Sequence, residues 1–384
     1  MKRQLLVFST NSLGGIAEHA YLQCQAIAEQ GWSVTLLAPP DFLAGKSLPD
    51  GVERRSLLRE PRGRWATWRR LRFAWVILAN HFILAAIAVK IRPTAILISA
   101  YAEYLSPLWF WVQWLGSWLG RCPILANLHD PVRDYEVGPG WWHRLSVGLA
   151  YVPLRSVVIH QETVTELSIP DNVRVVSAPH GVYQIAEASE SPEEIRAAWG
   201  ATADHHVFLA FGYVRDNKRI DLMLEAMVDH STTFLTIIGE TATDGARNHE
   251  FYRKRAKELG VEDRVYSSDE FTPDERIGSI FNAADSVLLA YDQSFRSQSG
   301  VLNLAAACHK PILASSGPSP LLESVRDFDL GVFVSPGSSK RLSEGIQQLL
   351  EDPPMPKWEA YARSASWSKN AEAVISEIDE LNRG

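Results

Sequence analysis

The stretch VFLAFGYVRDNKRIDLMLEAM, residues 207–227, decides the fold. It opens on a continuous apolar run too short for a helix, breaks at Gly212, and resumes near Ile220 with the apolar spacing of a helix. A buried strand, a turn and a covering helix make the repeating unit of a parallel sheet. Toward the carboxyl terminus the strand recurs in TFLTIIGE (233–240), RVYSS (264–268), SVLLAY (286–291) and PILAS (311–315). Toward the amino terminus LLVFST (5–10) leads into a glycine loop and helix, GGIAEHAYLQCQAIAEQG (14–31). WSVTLLAP (32–39), TAILISA (94–100), PILANLH (123–129), SVVIH (156–160) and VRVVSA (173–178) continue that series. A polar, Ala/Glu/Ser-rich stretch from about Tyr183 to His206 separates the two series. The expected fold is α/β, two Rossmann-like doubly wound domains facing a cleft. Their expected bounds are 1–182 and 183–367, with a final helix in 368–384 free to cross back onto the first domain.

Bulk properties narrow the function. A chain of 384 residues, 46% hydrophobic and 22% charged, is globular and long enough for two cores. A net charge of -7 speaks against a nucleic-acid partner, whose phosphates need a basic surface. Cys24, Cys122 and Cys308 are too few and too scattered for a disulfide framework or a zinc site, which points to a reducing compartment. The start, MKRQLLVFST, carries too short an apolar run for a signal peptide, so the expected location is the cytoplasm.

Several residues carry chemistry. Gly14 and Gly15 lie between a strand and a helix, where backbone approaches a phosphate and helix amides favour an anion. An ordinary tight turn needs such glycines too, and the GxGxxG fingerprint of dinucleotide enzymes is absent. Arg215 and Lys218 follow Gly212 at a strand's carboxyl end, where two cations can face one anion or simply form a solvated turn. Ser299 reads as an N-cap and Gly300 as the first turn of an apolar helix whose free amides offer a second phosphate contact. His129 with Asp130, and His180 with Gly181, close strands at the edge where open α/β sheets bind ligands. No His, Cys or carboxylate cluster stands at metal spacing, and Asp292 lacks a partner carboxylate.

Taken together, GGIAEHAY, LHDP, PHGV, FGYVRDNKRIDLMLEA, IIGE, FNAADSVLLAY and SGVLNLAAACHKPILAS resemble glycosyltransferase family 4 and its GT-B relatives, of polysaccharide-biosynthesis type, from Leu5 to Leu381. The resemblance implies donor binding by the carboxy-terminal domain, an acceptor-binding amino-terminal domain, no cofactor or metal, and retention at the anomeric carbon. It places His129 near the transferred hexose, Arg215 and Lys218 on the diphosphate, and Gly15 against it. The donor-binding set it implies is Gly14, Gly15, His180, Gly212, Gly239, Ser299, Gly300, Val301 and Asn303. Two glutamates usual in the family fall here on Arg296 and Leu304, which leaves Asn303 as the candidate for the ribose.

The last feature is basic and aromatic. Eight arginines (54, 55, 59, 62, 64, 69, 70, 72) lie between Glu53 and Arg72, and ten of the 13 tryptophans precede residue 143. Asn80 and His81 interrupt the apolar run from Phe73 to Val89, so it falls short of a clean span. A buried helix is one reading; a peripheral membrane surface at the inner face, suited to a lipid-linked acceptor, is the other. The expected activity is hexose transfer from a UDP-sugar, UDP-glucose or a close relative, to a glycan or lipid-linked acceptor. The rivals are an inactive GT-B scaffold, an NAD-linked Rossmann enzyme and a membrane-anchoring structural protein.

Overall fold

A computed structural model describes residues 3–59, 67–101, 103, 105–129, 138–160, 169–242 and 247–383. Arg62, Arg64, Trp65, Asp130 and Pro131 lie outside the described residues, as do the side chains of Trp68, Arg69 and Arg70. The chain divides into two units, 1–180 with 366–384, and 181–365.

The first unit runs β1 (Gln4–Phe8), α1 (Gly15–Glu29), β2 (Ser33–Ala38), β3 (Val52–Ser56), α2 (Thr67–Ile91), β4 (Ala95–Ile98) and α3 (Ser106–Gly120). It continues through β5 (Ile124–Leu128), α4 (Gly140–Ala150), β6 (Ser156–Ile159) and β7 (Arg174–Ser177). These strands form one parallel sheet in the order β3-β2-β1-β4-β5-β6-β7. The order reverses between β1 and β4, the switch point at which doubly wound sheets open a ligand crevice. Strands β1, β4, β5 and β6 are buried on both faces, which is why they read as unbroken apolar runs.

Strand β3, VERRS, departs from the expectation of one basic surface from Glu53 to Arg72. As an edge strand it tolerates charge, and charge there discourages further pairing. Arg54 donates to the Phe42 carbonyl at 2.9 Å and Arg55 pairs with Glu53 at 3.3 Å, so these two arginines serve the sheet.

The second unit runs α5 (Pro192–Trp199), β8 (His206–Phe211), α6 (Ile220–Ala226), β9 (Thr233–Ile238), α7 (His249–Leu259), β10 (Val265–Ser268) and α8 (Asp274–Ala283). Then come β11 (Ser286–Ala290), α9 (Gly300–Ala307), β12 (Ile312–Ser315), α10 (Pro320–Asp327), β13 (Gly331–Phe333), α11 (Ser339–Glu351) and α12 (Trp358–Ser364). Its sheet, β10-β9-β8-β11-β12-β13, repeats the same topology, with the switch point between β8 and β11. Apolar clusters cover both of its faces.

Helix α13 (Trp367–Leu381) follows the second unit in the chain and packs into the first. Ala371, Val374 and Ile378 sit in one core with Leu5, Val7 and Cys24. A buried amide network fixes it there: Gln23 Nε2 donates to Asn370 Oδ1 at 2.8 Å, Asn127 Nδ2 to Gln23 Oε1 at 2.8 Å, and Asn370 Nδ2 to the Pro179 carbonyl at 2.9 Å. Fully satisfied buried networks of this kind specify one docking geometry.

Candidate functional site

In the second unit the predicted residues converge at the switch point. Gly212 ends β8 with φ +79°, a backbone state open to glycine, and a Cβ there would stand 3.6 Å from Lys218 Nζ and 3.8 Å from Val301 Cγ2. Gly239, with φ +138°, is required by a close approach, since its Cβ would lie 2.5 Å from the Gly212 carbonyl oxygen. Glycine at both places lets the two strand ends approach closely and brings Lys218 and Val301 beside Gly212.

Lys218 is half-buried and its ammonium donates to the Phe211 carbonyl. Burial first, and then the charge of Arg215, lower its pKa to about 7. Arg215 is exposed and lies over the Tyr213 ring at 6.0 Å. An enclosed ammonium beside a second cation is a preorganised receptor for a polyanion, whose charge would relieve both costs.

Across from these, Ser299 occupies the N-cap of α9 but does not cap it. Its hydroxyl pairs with the Tyr291 hydroxyl at 3.1 Å, a correction to the expected capping bond that leaves the first-turn amides of Gly300 and Val301 to an incoming acceptor atom. Asn303 needs a second correction: it is 0% exposed and accepts from the Tyr361 hydroxyl at 2.7 Å, so it is out of a ribose's reach. Tyr183, which carried no signal in the sequence, is the polar group near that turn; its hydroxyl lies 3.5 Å from where a Gly300 Cβ would be.

In the first unit Gly14 precedes α1 with φ +80°, and a Cβ there would meet nothing within 4 Å, so the glycine is needed for its backbone state and the space above it is open. Gly15 is the first residue of a helix with no side-chain cap at its N-terminus. His129 and His180 do come together, and with them His19 and His160, which the sequence reading passed over. The His19 ring lies 4.7 Å from His129, 5.0 Å from His160 and 5.0 Å from His180. Burial first, then the neighbouring histidines, holds His19 and His160 well below the usual imidazole range, so both are neutral near pH 7. His129 Nε2 donates to the Ser99 carbonyl at 2.8 Å, and His160 Nδ1 to the Ala178 carbonyl at 3.0 Å. The expectation, drawn from spacing, that no ligand-type residues gather does not hold in three dimensions. The available signal was that His129 and His160 each directly follow a short buried strand, with His180 three residues past the more exposed β7.

Helices α2, α3 and α4 form a layer on the first sheet whose outer surface is apolar. Trp75, Trp111, Trp114, Trp118 and Trp141 are 43–68% exposed, whereas Trp32 and Trp109 are core residues. None of the three helices contains an acidic residue, and exposed Arg72, Lys90, Arg92, Arg121 and Arg144 flank the face. The segment Leu71–Ile91 is long and apolar enough, by length and composition, to cross a membrane. Asn80 and His81 face inward rather than interrupting the outer face: Asn80 Nδ2 donates to the Arg59 carbonyl at 2.7 Å, and His81 pairs with Gln113 at 2.9 Å. Gly116 and Gly120 of α3 let α2 approach so closely that a Cβ at Gly116 would lie 2.7 Å from Ala85 Cβ.

Comparison with known proteins is consistent with this geometry. Residues 191–373 match the family described as glycosyl transferases group 1. The D-inositol 3-phosphate glycosyltransferase of Corynebacterium aurimucosum is 28% identical over 195 residues, 48% of this chain and 44% of that protein. That of Mycolicibacterium smegmatis is 25% identical over 227 residues, 57% and 50% of the two chains. The chain thus spans about half the length of the curated relatives it matches. Among solved structures, sucrose-phosphate synthase from Thermosynechococcus elongatus superposes with a TM-score of 0.68 at 17% identity, covering 99% of this chain and 98% of its own. Anabaena HepE, solved with UDP and glucose, superposes at 0.62 and 18% identity, covering 99% and 97%. The fold is GT-B: two parallel-sheet Rossmann-like units shared with glycosyltransferases along nearly the whole chain.

Proposed function

We propose that this chain moves a hexose from a nucleoside-diphosphate sugar, UDP-glucose or a close relative, to a glycan or lipid-linked acceptor, with retention at the anomeric carbon. The observation that carries the reading is at the second unit's switch point, where Lys218 and Val301, in the uncapped first turn of α9, stand beside Gly212 with Arg215 close in the chain. Its charges suit a diphosphate that gains negative charge as the sugar–oxygen bond breaks. The uridine choice draws on HepE, whose structure holds UDP and glucose.

In this reading the leaving diphosphate accepts the acceptor hydroxyl's proton as the new bond forms on the same face of the sugar, so no protein base is needed. The cations and amides do the work a metal does elsewhere, and transfer should continue in chelator. The apolar, acid-free face of α2, α3 and α4 suits contact with an anionic bilayer, where a lipid-linked acceptor would reside.

A second reading, a donor-binding scaffold without turnover, is favoured by Arg296 and Leu304 standing where the family carries glutamates. The test is a thermal-shift screen across UDP-, GDP- and ADP-sugars followed by a hydrolysis and transfer assay with each binder. A ligand at 100 times its Kd adds about 2.7 kcal/mol and should raise the melting point by several degrees. Stabilisation by none of the sugars would overturn both readings; stabilisation without hydrolysis or transfer would leave the scaffold.

Lys218 adds a pH signature. Its pKa is about 7 in the free protein, because burial disfavours the charged form, and a diphosphate contact favours that form and raises the value. Binding of UDP-glucose, whose diphosphate does not titrate in this range, should therefore take up a proton above pH 7, with affinity falling by up to about tenfold per pH unit. Calorimetry at pH 8.5 in two buffers of different ionisation enthalpy measures this directly. Proton uptake near one in the parent and near zero in Lys218→Ala is expected; no uptake in the parent would remove Lys218 from the diphosphate.

A further inference from the structure

His19, His129 and His160 each bring a ring nitrogen to within 4.8 Å of the other two. They arrive from separate places, the first turns of α1 and the ends of β5 and β6. We propose that these three imidazoles form a binding site for a divalent cation of the zinc class, with a fourth coordination position left open.

Two observations beyond proximity support it. His19 is 1% exposed and neither of its ring nitrogens has a hydrogen-bond partner, an arrangement proteins avoid because a buried polar group without a partner is costly. His160 repeats the pattern: its Nδ1–H is spent on the Ala178 carbonyl, and its buried Nε2 has no partner. Coordination would give each orphan lone pair an acceptor.

The backing groups are also those of a metal centre. The Ala178 carbonyl fixes the proton of His160 on Nδ1, so its Nε2 carries the lone pair, and the Ser99 carbonyl holds His129 through Nε2, so Nδ1 is the nitrogen that ring would offer. Carbonyls behind metal-binding imidazoles set tautomer and ring direction in this way. Zn–N bonds of about 2.0–2.1 Å in a tetrahedral set place nitrogens roughly 3.4 Å apart, so nitrogens now within 4.8 Å of one another need close by up to about 1.4 Å. His180 and Trp367, each centred 5.0 Å from His19, line the same cluster.

The rival explanation is a metal-free cluster of neutral rings held by edge-to-face contacts, and titration of the full chain with ZnCl2 separates the two. Chelator-stripped protein is titrated calorimetrically, bound zinc is counted by elemental analysis, and Co2+ substitution reports coordination through its visible absorption. One equivalent of zinc is expected, with tetrahedral cobalt bands, and His19→Ala and His160→Gln should each weaken binding about 100-fold or more. His309→Gln, at an exposed position in the second unit, should bind as the parent does. Circular dichroism reports folding, and if His19→Ala fails to fold, His129→Gln at its half-buried strand end carries the test. No stoichiometric zinc in the parent, or parental affinity in the folded histidine variants, overturns the site. Transfer as proposed above uses no metal, so the two proposals fail separately.

Discussion

Lys218→Ala is expected to lower kcat/KM for the nucleotide sugar by roughly 30- to 1000-fold, about 2 to 4 kcal/mol of lost transition-state stabilisation, comparable with removing one oxyanion donor. Arg215→Ala should fall toward the lower end, because its guanidinium is exposed and solvent screens it. The expected loss appears in kcat as well as KM, since the charge to be stabilised grows as the diphosphate leaves. Folding should survive both changes. The Lys218 ammonium is held in a site that disfavours its charge, so removing it takes away an unfavourable burial and one bond to the Phe211 carbonyl. Steady-state kinetics beside thermal melts separates the effects. Parental kcat/KM in both variants would take the diphosphate away from this switch point.

The position of Arg215 and Lys218 at one strand end was legible because they lie three residues apart on one strand-to-helix connection, and local spacing survives folding. The sheets were legible for the same reason: 207–211 and 286–290 are apolar runs that only doubly buried strands need. Strand β3 was not, because an edge strand half open to solvent can carry two arginines and so looks like a charged loop. His19 and His160 were hidden by distance along the chain. They are 141 residues apart by their numbers, 160 − 19, and only the strand order brings them together. Asn303 failed as a ribose contact for a different reason. Its helix position is visible in the sequence, but Tyr361, from a later element, decides which way its hydrogen bond points.

The first unit is expected to bind anionic vesicles without spanning them. Five exposed tryptophans on α3, α2 and α4 can each transfer apolar area worth about 1.5–3 kcal/mol if fully buried, less at an interface. Each flanking cation near an anionic surface adds about 1 kcal/mol. Spanning by α2 would strip it from α3, against which Ala85 meets Gly116 in close contact, and would place Asn80 and His81 in hydrocarbon. Trp75→Ser with Trp118→Ser should therefore reduce vesicle partitioning roughly 30-fold or more, from about 2 kcal/mol or more of lost insertion. Raising salt should weaken binding, because screening confines the attraction to about 8 Å at physiological ionic strength, while the aromatic part remains. Co-sedimentation with neutral and anionic vesicles measures both parts. No pelleting with either, or an unchanged double variant, would leave this face without a bilayer partner.

The docking of α13 has a consequence for how the protein is made. The second unit is one unbroken stretch, 181–365, and every residue it needs is available as soon as that stretch has left the ribosome. The first unit is translated earlier but lacks Ala371, Val374 and Ile378, and its buried Gln23 lacks Asn370, until 366–381 has been synthesised. The half made first must therefore finish second. Released chains ending at residue 365 should expose an incomplete first core, the form on which chaperones act and proteases cut, while already presenting a closed second one.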